Sequence, residues 1–423
     1  MDIIIIMKYL YRNLFIATLI LLTFALIGLY HCKIKTVKEA EFIRRNHFIN
    51  DGKLCPNCRN MSIHFGTNKD NWNAPHLLFE ANNKKTIAQK NIFFLKLHKT
   101  ASSTIQNIFM RYADNNNLNI ALPVGVNNNL LGYPRTFSTD FIQKSSNEIN
   151  IMCHHLLFNG NVSKVIPKDT KFITIIRHPD TQFLSSYDYF HLEKCYSHLR
   201  IQHIEDFVRN VTSKGFKGQQ CTTKGIFVSP KNGMLFDFGV PHDRMNNNTF
   251  IKNKIMEINA RFDLVMLSEY IDESLVLMRD ILGWRTEEII YFTKIQNIKS
   301  RKPISTKTRN SLREWNNGDM QLYKYFNTSF WKRVNIYGYD RLKTEVGKFR
   351  QMKTKWENIC IKDIVPGDKV EDPELKVGHK DEDVLAYKLR EEAKDIQLCK
   401  QLAMQEKPYT AKLKQKMFTL GNT

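Results

Sequence analysis

Seven consecutive residues, His98-Lys99-Thr100-Ala101-Ser102-Ser103-Thr104, place an imidazole, an ammonium and several hydroxyls just before apolar residues at Ile105, Ile108 and Phe109, a helical spacing. A helix N-terminus offers unpaired N–H groups and the positive end of the helix dipole, so the turn is an anion cradle. A helix cap beside a solvated lysine uses the same residue types, and the turn alone does not separate the two readings. It is not a Walker A loop, which needs two glycines where this turn has none, so a nucleotide kinase or NTPase is disfavoured. Arg177 stands eight positions before Ser185, and about two helical turns would let guanidinium and hydroxyl converge on one phosphate. For taking a proton near neutral pH, imidazole is the suited group, and His98, His154 and His155 supply it. Glu269 has the chemistry to bind acceptor hydroxyls or to cap a helix, and Phe238 and Trp284 to stack on a sugar face or to fill a core. No metal site is expected, because Cys55-Pro-Asn-Cys58 lacks the second Cys or His pair that zinc needs.

These residues need elements to hold them. Apolar runs predict strands at 92–95, 149–153, 171–176 and 264–267, and helices follow at 105 onward, up to Phe190 and over 273–282. Pro179, just past the third strand, fits the first turn of a helix. Strands alternating with helices predict an α/β fold with a mostly parallel sheet covered on both faces. Ligands then bind beyond the carboxyl ends of the strands, and His98 to Thr104, His154-His155, Arg177 and Glu269 all follow strands directly. An amphipathic helix is expected near 204–211, a loop over 215–233, and, beyond the helix 273–282, further helix to about Lys355. The charged segment 363–421, helical around 384–404, is expected to pack on the outside.

The stretches LKLHKTASST, IMCHHLLF, IIRHPDTQFLSSYDYF and LSEYIDESLVLMRDILGW resemble the Golgi galactose 3-O-sulfotransferases, the family that includes cerebroside sulfotransferase. The resemblance covers about 91–349 and weakens in the stem, over 191–232 and in the tail. It implies a P-loop-like three-layer domain with a central mostly parallel sheet, and 3′-phosphoadenosine 5′-phosphosulfate (PAPS) as sulfate donor with no metal required. By it, Lys99, Thr100, Ala101, Ser102, Ser103 and Thr104 hold the 5′-phosphosulfate, and Arg177 with Ser185 holds the 3′-phosphate. The family's Cys-x-His motif selects His155 over His154, so His98, Lys99 and His155 become the catalytic candidates, with either histidine as base. Glu269 becomes the candidate for acceptor binding. The implied acceptor is the 3-hydroxyl of a terminal β-galactose on a galactosylceramide-like glycolipid or a glycoprotein glycan. A glycosaminoglycan sulfotransferase and a non-catalytic glycan-binding protein of the same fold are the alternatives.

Composition fits this frame. With 42% hydrophobic and 25% charged residues the chain is globular, and its formal net charge of +21 calls for an anionic partner. No nucleic-acid motif is present and the lysines are spread along the chain, so nucleic acid is not the expected partner. Residues 14–30 carry no charge and as a helix span about 25 Å, enough for a retained signal-anchor. This predicts a cytoplasmic tail at 1–13, a single transmembrane helix at 14–30, a stem at 31–90, the sulfotransferase domain at 91–360 and a charged helical extension at 361–423. The positive-inside rule, taken literally, favours a cytosolic domain, since Lys33, Lys35, Lys38, Arg44 and Arg45 follow the span. Sequons at Asn60, Asn161, Asn210, Asn247 and Asn327, and Cys360 placed to close a loop with Cys399, point instead to the lumen. The resemblance decides for a type II Golgi membrane protein with a luminal domain; a homodimer is left open.

Overall fold

An apolar run without polar alternation needs cover on both faces. Strand β1 (Ile92–Leu95), with all four residues buried, lies at the centre of such a sheet. The computed structural model of the chain describes residues 87–125, 128–199, 201, 203–212, 221–223, 226–294, 303–376 and 384–419. The expected anchor at 14–30, most of the stem, Cys55, Cys58 and the Asn60 sequon lie outside them. Among the described residues no helix is long and apolar enough to cross a membrane.

In chain order, β1 is followed by α1 (Ser102–Asn115), β2 (Ile151–Met152), β3 (Lys171–Ile176), α2 (Pro179–Phe190) and α3 (Ile204–Phe207). Next come the hairpin β4 (Cys221–Thr223) and β5 (Ile226–Val228), α4 (Gly233–Asp237), α5 (Asn248–Arg261), β6 (Leu264–Leu267) and α6 (Ile271–Leu282). Three helices, α7 (Thr306–Trp315), α8 (Asn317–Tyr337) and α9 (Tyr339–Cys360), precede a second hairpin of β7 (Ile361–Pro366) and β8 (Leu385–Leu389), and α10 (Gln397–Ala403) and α11 (Glu406–Thr419) end the fold. The main sheet has the order β2-β1-β3-β6 and is parallel throughout. Phe94 packs its ring on Phe109 of α1, 5.2 Å between centroids, while its neighbour Phe93 meets Phe158, Phe172 and Phe262. Successive side chains leave opposite faces of a strand, so each face of the sheet has its own layer.

The expected strands at 92–95, 171–176 and 264–267 and the helix end at Phe190 agree with the structure. Four expectations do not, the first being the strand expected over 149–153, which is only Ile151–Met152. The helix expected over 204–211 is α-helical only to Phe207 and continues as a π-turn over Val208–Thr212. The loop expected over 215–233 contains the β4–β5 hairpin, whose strands are too short to show a period. The segment 361–423 is neither wholly helical nor external: it starts with β7, and Cys399, Leu402, Ala403, Met404, Tyr409 and Leu413 are all at most 2% exposed. Charged residues mask an apolar stripe that docks on α1, where Asn107 Nδ2 donates to the carbonyls of Gln401 and Met404. The Cys360–Cys399 disulfide, Cα atoms 5.3 Å apart, closes this segment onto α9.

Candidate active site

Because the four strands are parallel and in register, the segments after β1, β2, β3 and β6 emerge at one edge of the sheet. The turn after β1 puts Lys99 (φ 60°) and Ala101 (φ 67°) in the left-handed region. Side chains rarely adopt it, and holding them there costs on the order of 1–3 kcal/mol each, the kind of strain that collects at functional sites. The turn thus reaches, without glycine, a left-handed backbone just before the start of α1. Thr100 Oγ1 and Ser102 Oγ both donate to the Leu97 carbonyl, at 3.2 and 2.5 Å, and Thr104 Oγ1 accepts from Lys294 N at 3.0 Å. All three residues are buried with their hydroxyls turned to main chain, and Thr104 N donates to the Ala101 carbonyl at 3.1 Å; Ser103 and Lys99 are only half-buried. The Lys99 ammonium lies 3.7 Å from the centre of the Tyr189 ring on α2.

Arg177 is tied to the turn that carries Lys99. From the end of β3 its Nη1 donates to the Lys99 carbonyl at 3.3 Å and its Nε to Thr181 Oγ1 at 3.1 Å. Ser185 is half-buried on the same helix, α2. Glu269 serves the scaffold: one carboxylate oxygen accepts from His178 N at 2.7 Å and the other from Tyr323 OH at 3.2 Å. It is a cap, as one sequence reading held, but for the start of α2 rather than for its own helix. Phe238 and Trp284 are core residues, 0% and 6% exposed, with Trp284 stacked on Tyr112.

His98 and His155 come together as parallel stacked rings, centroids 3.9 Å apart and planes 10° apart. His155 Nδ1 lies 2.8 Å from the Lys96 carbonyl, which can only accept, so Nδ1 carries the proton. Burial, reinforced by the neighbouring His98, pushes His155 well below the usual histidine range. His154 faces away, its Nε2 3.0 Å from Thr410 Oγ1 of α11, and burial brings its pKa down to about 4. A histidine with a depressed folded-state pKa favours folding above its unfolded value near 6.5, and the unfolded state takes up the proton first as pH falls. Stability is therefore expected to drop between pH 6.5 and 4, by about 2 kcal/mol at pH 5 from His154 alone. Urea midpoints at pH 7 and 5 test this; a smaller drop in His154→Gln than in the native chain supports the assignment, and equal drops refute it.

Sequence reasoning missed Asp237 and Tyr133. Asp237 Oδ2 accepts from His98 N at 2.7 Å and lies 3.0 Å from His98 Nδ1; the Tyr133 ring is 4.6 Å from that of His98. Burial and the Asp237 carboxylate hold the Tyr133 phenol protonated, well above its usual range. The legible signal was an acid inside the apolar run Met234-Leu235-Phe236-Asp237-Phe238, since a buried carboxylate must have partners.

The chain matches the family profile described as Galactose-3-O-sulfotransferase over residues 53–417. It is 32% identical over 348 residues to galactose-3-O-sulfotransferase 2 of Sus scrofa, covering 78% of this chain and 84% of that protein. For the Homo sapiens protein of the same name the figures are 33% over 336 residues, 76% and 82%. Galactosylceramide sulfotransferase of Homo sapiens is 32% identical over 299 residues, 68% of each chain.

Proposed function

Since this chain belongs to the galactose-3-O-sulfotransferase family, we propose that it transfers a sulfuryl group from PAPS to the 3-hydroxyl of a terminal β-galactose. The acceptor would be a galactosylceramide-like glycolipid or a glycoprotein glycan. The observation that carries the donor assignment is the hydrogen bond from Arg177 to the Lys99 carbonyl, which holds two cationic side chains at one sheet edge as a bisphosphorylated nucleotide requires. The residue types suit that group: the left-handed turn and the start of α1 would offer N–H donors to a 5′-phosphosulfate, while Arg177 and Ser185 would hold the 3′-phosphate. The donor supplies a sulfuryl group already activated by its bond to phosphate.

The chain's own residues would do the rest. Lys99 would neutralise charge growing on the oxygen that leaves with the phosphate. His98 Nε2, holding a lone pair because Nδ1 points at Asp237, would take the proton of the attacking hydroxyl. His155, held neutral, would support the His98 ring through its stacked face. A type II anchor in the Golgi membrane, with this domain in the lumen, completes the proposal; the exposed Asn247 sequon supports it.

The test is transfer of labelled sulfate from PAPS by the full chain to galactosylceramide, lactose-type and N-acetyllactosamine-type acceptors, with glycosaminoglycan as control. Transfer to a galactoside that ceases when its 3-hydroxyl is blocked is expected. Transfer to glycosaminoglycan alone would replace the acceptor class, and tight PAPS binding with no transfer at all would favour a glycan-binding protein.

A further inference from the structure

Two stacked histidines at one site pose a question of assignment, because either ring could take the proton. We propose that Asp237 is the positioning residue that makes His98 the base and leaves His155 as its neutral support, an inference that rests on the sulfotransferase reading above. A carboxylate only accepts hydrogen bonds, so contact with Asp237 places the His98 proton on Nδ1 and the lone pair on Nε2. His155 has the same tautomer, but its Nδ1 meets the neutral Lys96 carbonyl at 2.8 Å rather than a carboxylate. A proton gained by His98 is balanced by Asp237 at 3.0 Å, whereas a proton on His155 would stay buried without a counter-charge.

The groups around His98 agree with this asymmetry. Asp237 reaches it from α4, His155 from the end of β2, Tyr133 from the loop before β2, and Phe190 from the end of α2 at 5.9 Å. Gln182 Nε2 holds the His98 carbonyl at 3.0 Å, so main chain and ring are both fixed. Asp237 is the one carboxylate in that set, and its side chain is only 2% exposed.

The element carrying Asp237 is itself pinned. Asp319 accepts from Met234 N and Leu235 N at 3.1 and 2.9 Å, and Asn316 Oδ1 accepts from Asn232 N at 2.8 Å. Gly318 has no room for a Cβ against Leu235 and Asn232, which lets α8 approach this closely. At the other end the Asp237 carbonyl accepts from Phe158 N at 3.1 Å. A short helix clamped at both ends delivers its carboxylate at a fixed position, as orientation of a base requires.

In the step itself, the acceptor oxygen bonds to sulfur as its proton moves to His98 Nε2. The bond from sulfur to the donor's phosphate oxygen breaks, and its electron pair stays on that phosphate. Asp237 keeps its charge throughout and stabilises the imidazolium.

The experiment compares the native full chain with Asp237→Asn and Asp237→Glu by kcat against pH, by affinity for 3′-phosphoadenosine 5′-phosphate, and by ¹⁵N-histidine NMR of the native chain. Asp237→Asn is expected to keep nucleotide affinity within about 2-fold, to lose at least about 100-fold in kcat, and to move the acidic limb of the profile to lower pH, with partial recovery in Asp237→Glu. An unmoved limb with near-native kcat overturns the proposal, as does a kcat loss matched by an equal loss of nucleotide affinity. If Asp237→Asn does not fold, the spectra decide: the Nδ1-H tautomer at His98 supports the proposal and the Nε2-H tautomer refutes it. A native chain that binds the nucleotide but transfers no sulfate defeats the sulfotransferase reading instead, and the tautomer result still stands by itself.

Discussion

Lys99→Ala is expected to lower kcat by on the order of 10²–10³ while leaving the fold intact. Lys99 is half-buried, and its ammonium lies on the face of Tyr189 rather than in an apolar core, so its removal opens no cavity among packed side chains. The backbone is equally strained in both proteins, since alanine must adopt the same left-handed φ of 60° as lysine. In the proposed mechanism, what would be lost is a positive charge beside the oxygen that gains charge as the bond to sulfur breaks, an interaction stronger in the transition state than in the ground state. Nucleotide affinity should fall much less than kcat, because in the proposed mechanism Arg177 and the N–H groups at the start of α1 would still hold phosphate. Lys99→Arg, which restores the charge in a wider, flatter group, should recover only part of the rate. Rate and nucleotide-binding measurements on both variants check this, and unchanged turnover in Lys99→Ala would sink the role given to Lys99.

The parts of the fold that sequence made legible are those where local pattern and tertiary demand coincide. Ile92-Phe93-Phe94-Leu95 and Phe172-Ile173-Thr174-Ile175-Ile176 are apolar but for Thr174, whose hydroxyl donates to the Leu95 carbonyl at 2.9 Å, because they lie at the centre of a parallel sheet. Once those strands are placed, the residues following them must lie at the ligand-binding edge. Which atoms face a ligand is a different matter. Ser102 and Thr104 look like phosphate ligands in the sequence, yet their hydroxyls satisfy buried main chain at Leu97 and Lys294, and that depends on packing. Asp237 was missed because it reaches His98 across 139 positions of chain, and only tertiary packing brings them together. The C-terminal segment was misplaced because a charge-rich stretch reads as solvated unless each buried charge is known to meet its partner.

Glu406 supplies that partner, and its loss is the largest stability effect expected in the domain. Lys96 directly follows β1, is 1% exposed, and pairs with Glu406 Oε2 at the start of α11, while Gln106 Nε2 donates to Glu406 Oε1 at 3.1 Å. Burial pushes the Glu406 carboxyl up, but Lys96, with His154 and Gln106, outweighs it and leaves the net shift downward. Glu406→Ala would strand the Lys96 ammonium in the interior, and breaking a buried pair by removing one member costs about 3–5 kcal/mol. The double variant Lys96→Met/Glu406→Leu removes both charges and fills much of the space, so it should recover most of the loss. Urea denaturation of the two variants separates the cases: recovery in the double variant identifies the unpaired charge as the cause. A cost below about 1 kcal/mol for Glu406→Ala would mean that water reaches Lys96. Because Lys96 lies two residues before His98 and its carbonyl accepts from His155, the same pair also fixes the back of the stacked histidines. Glu406→Ala should therefore reduce kcat at temperatures well below its unfolding midpoint, which ties the C-terminal helix to the chemistry as well as to the fold.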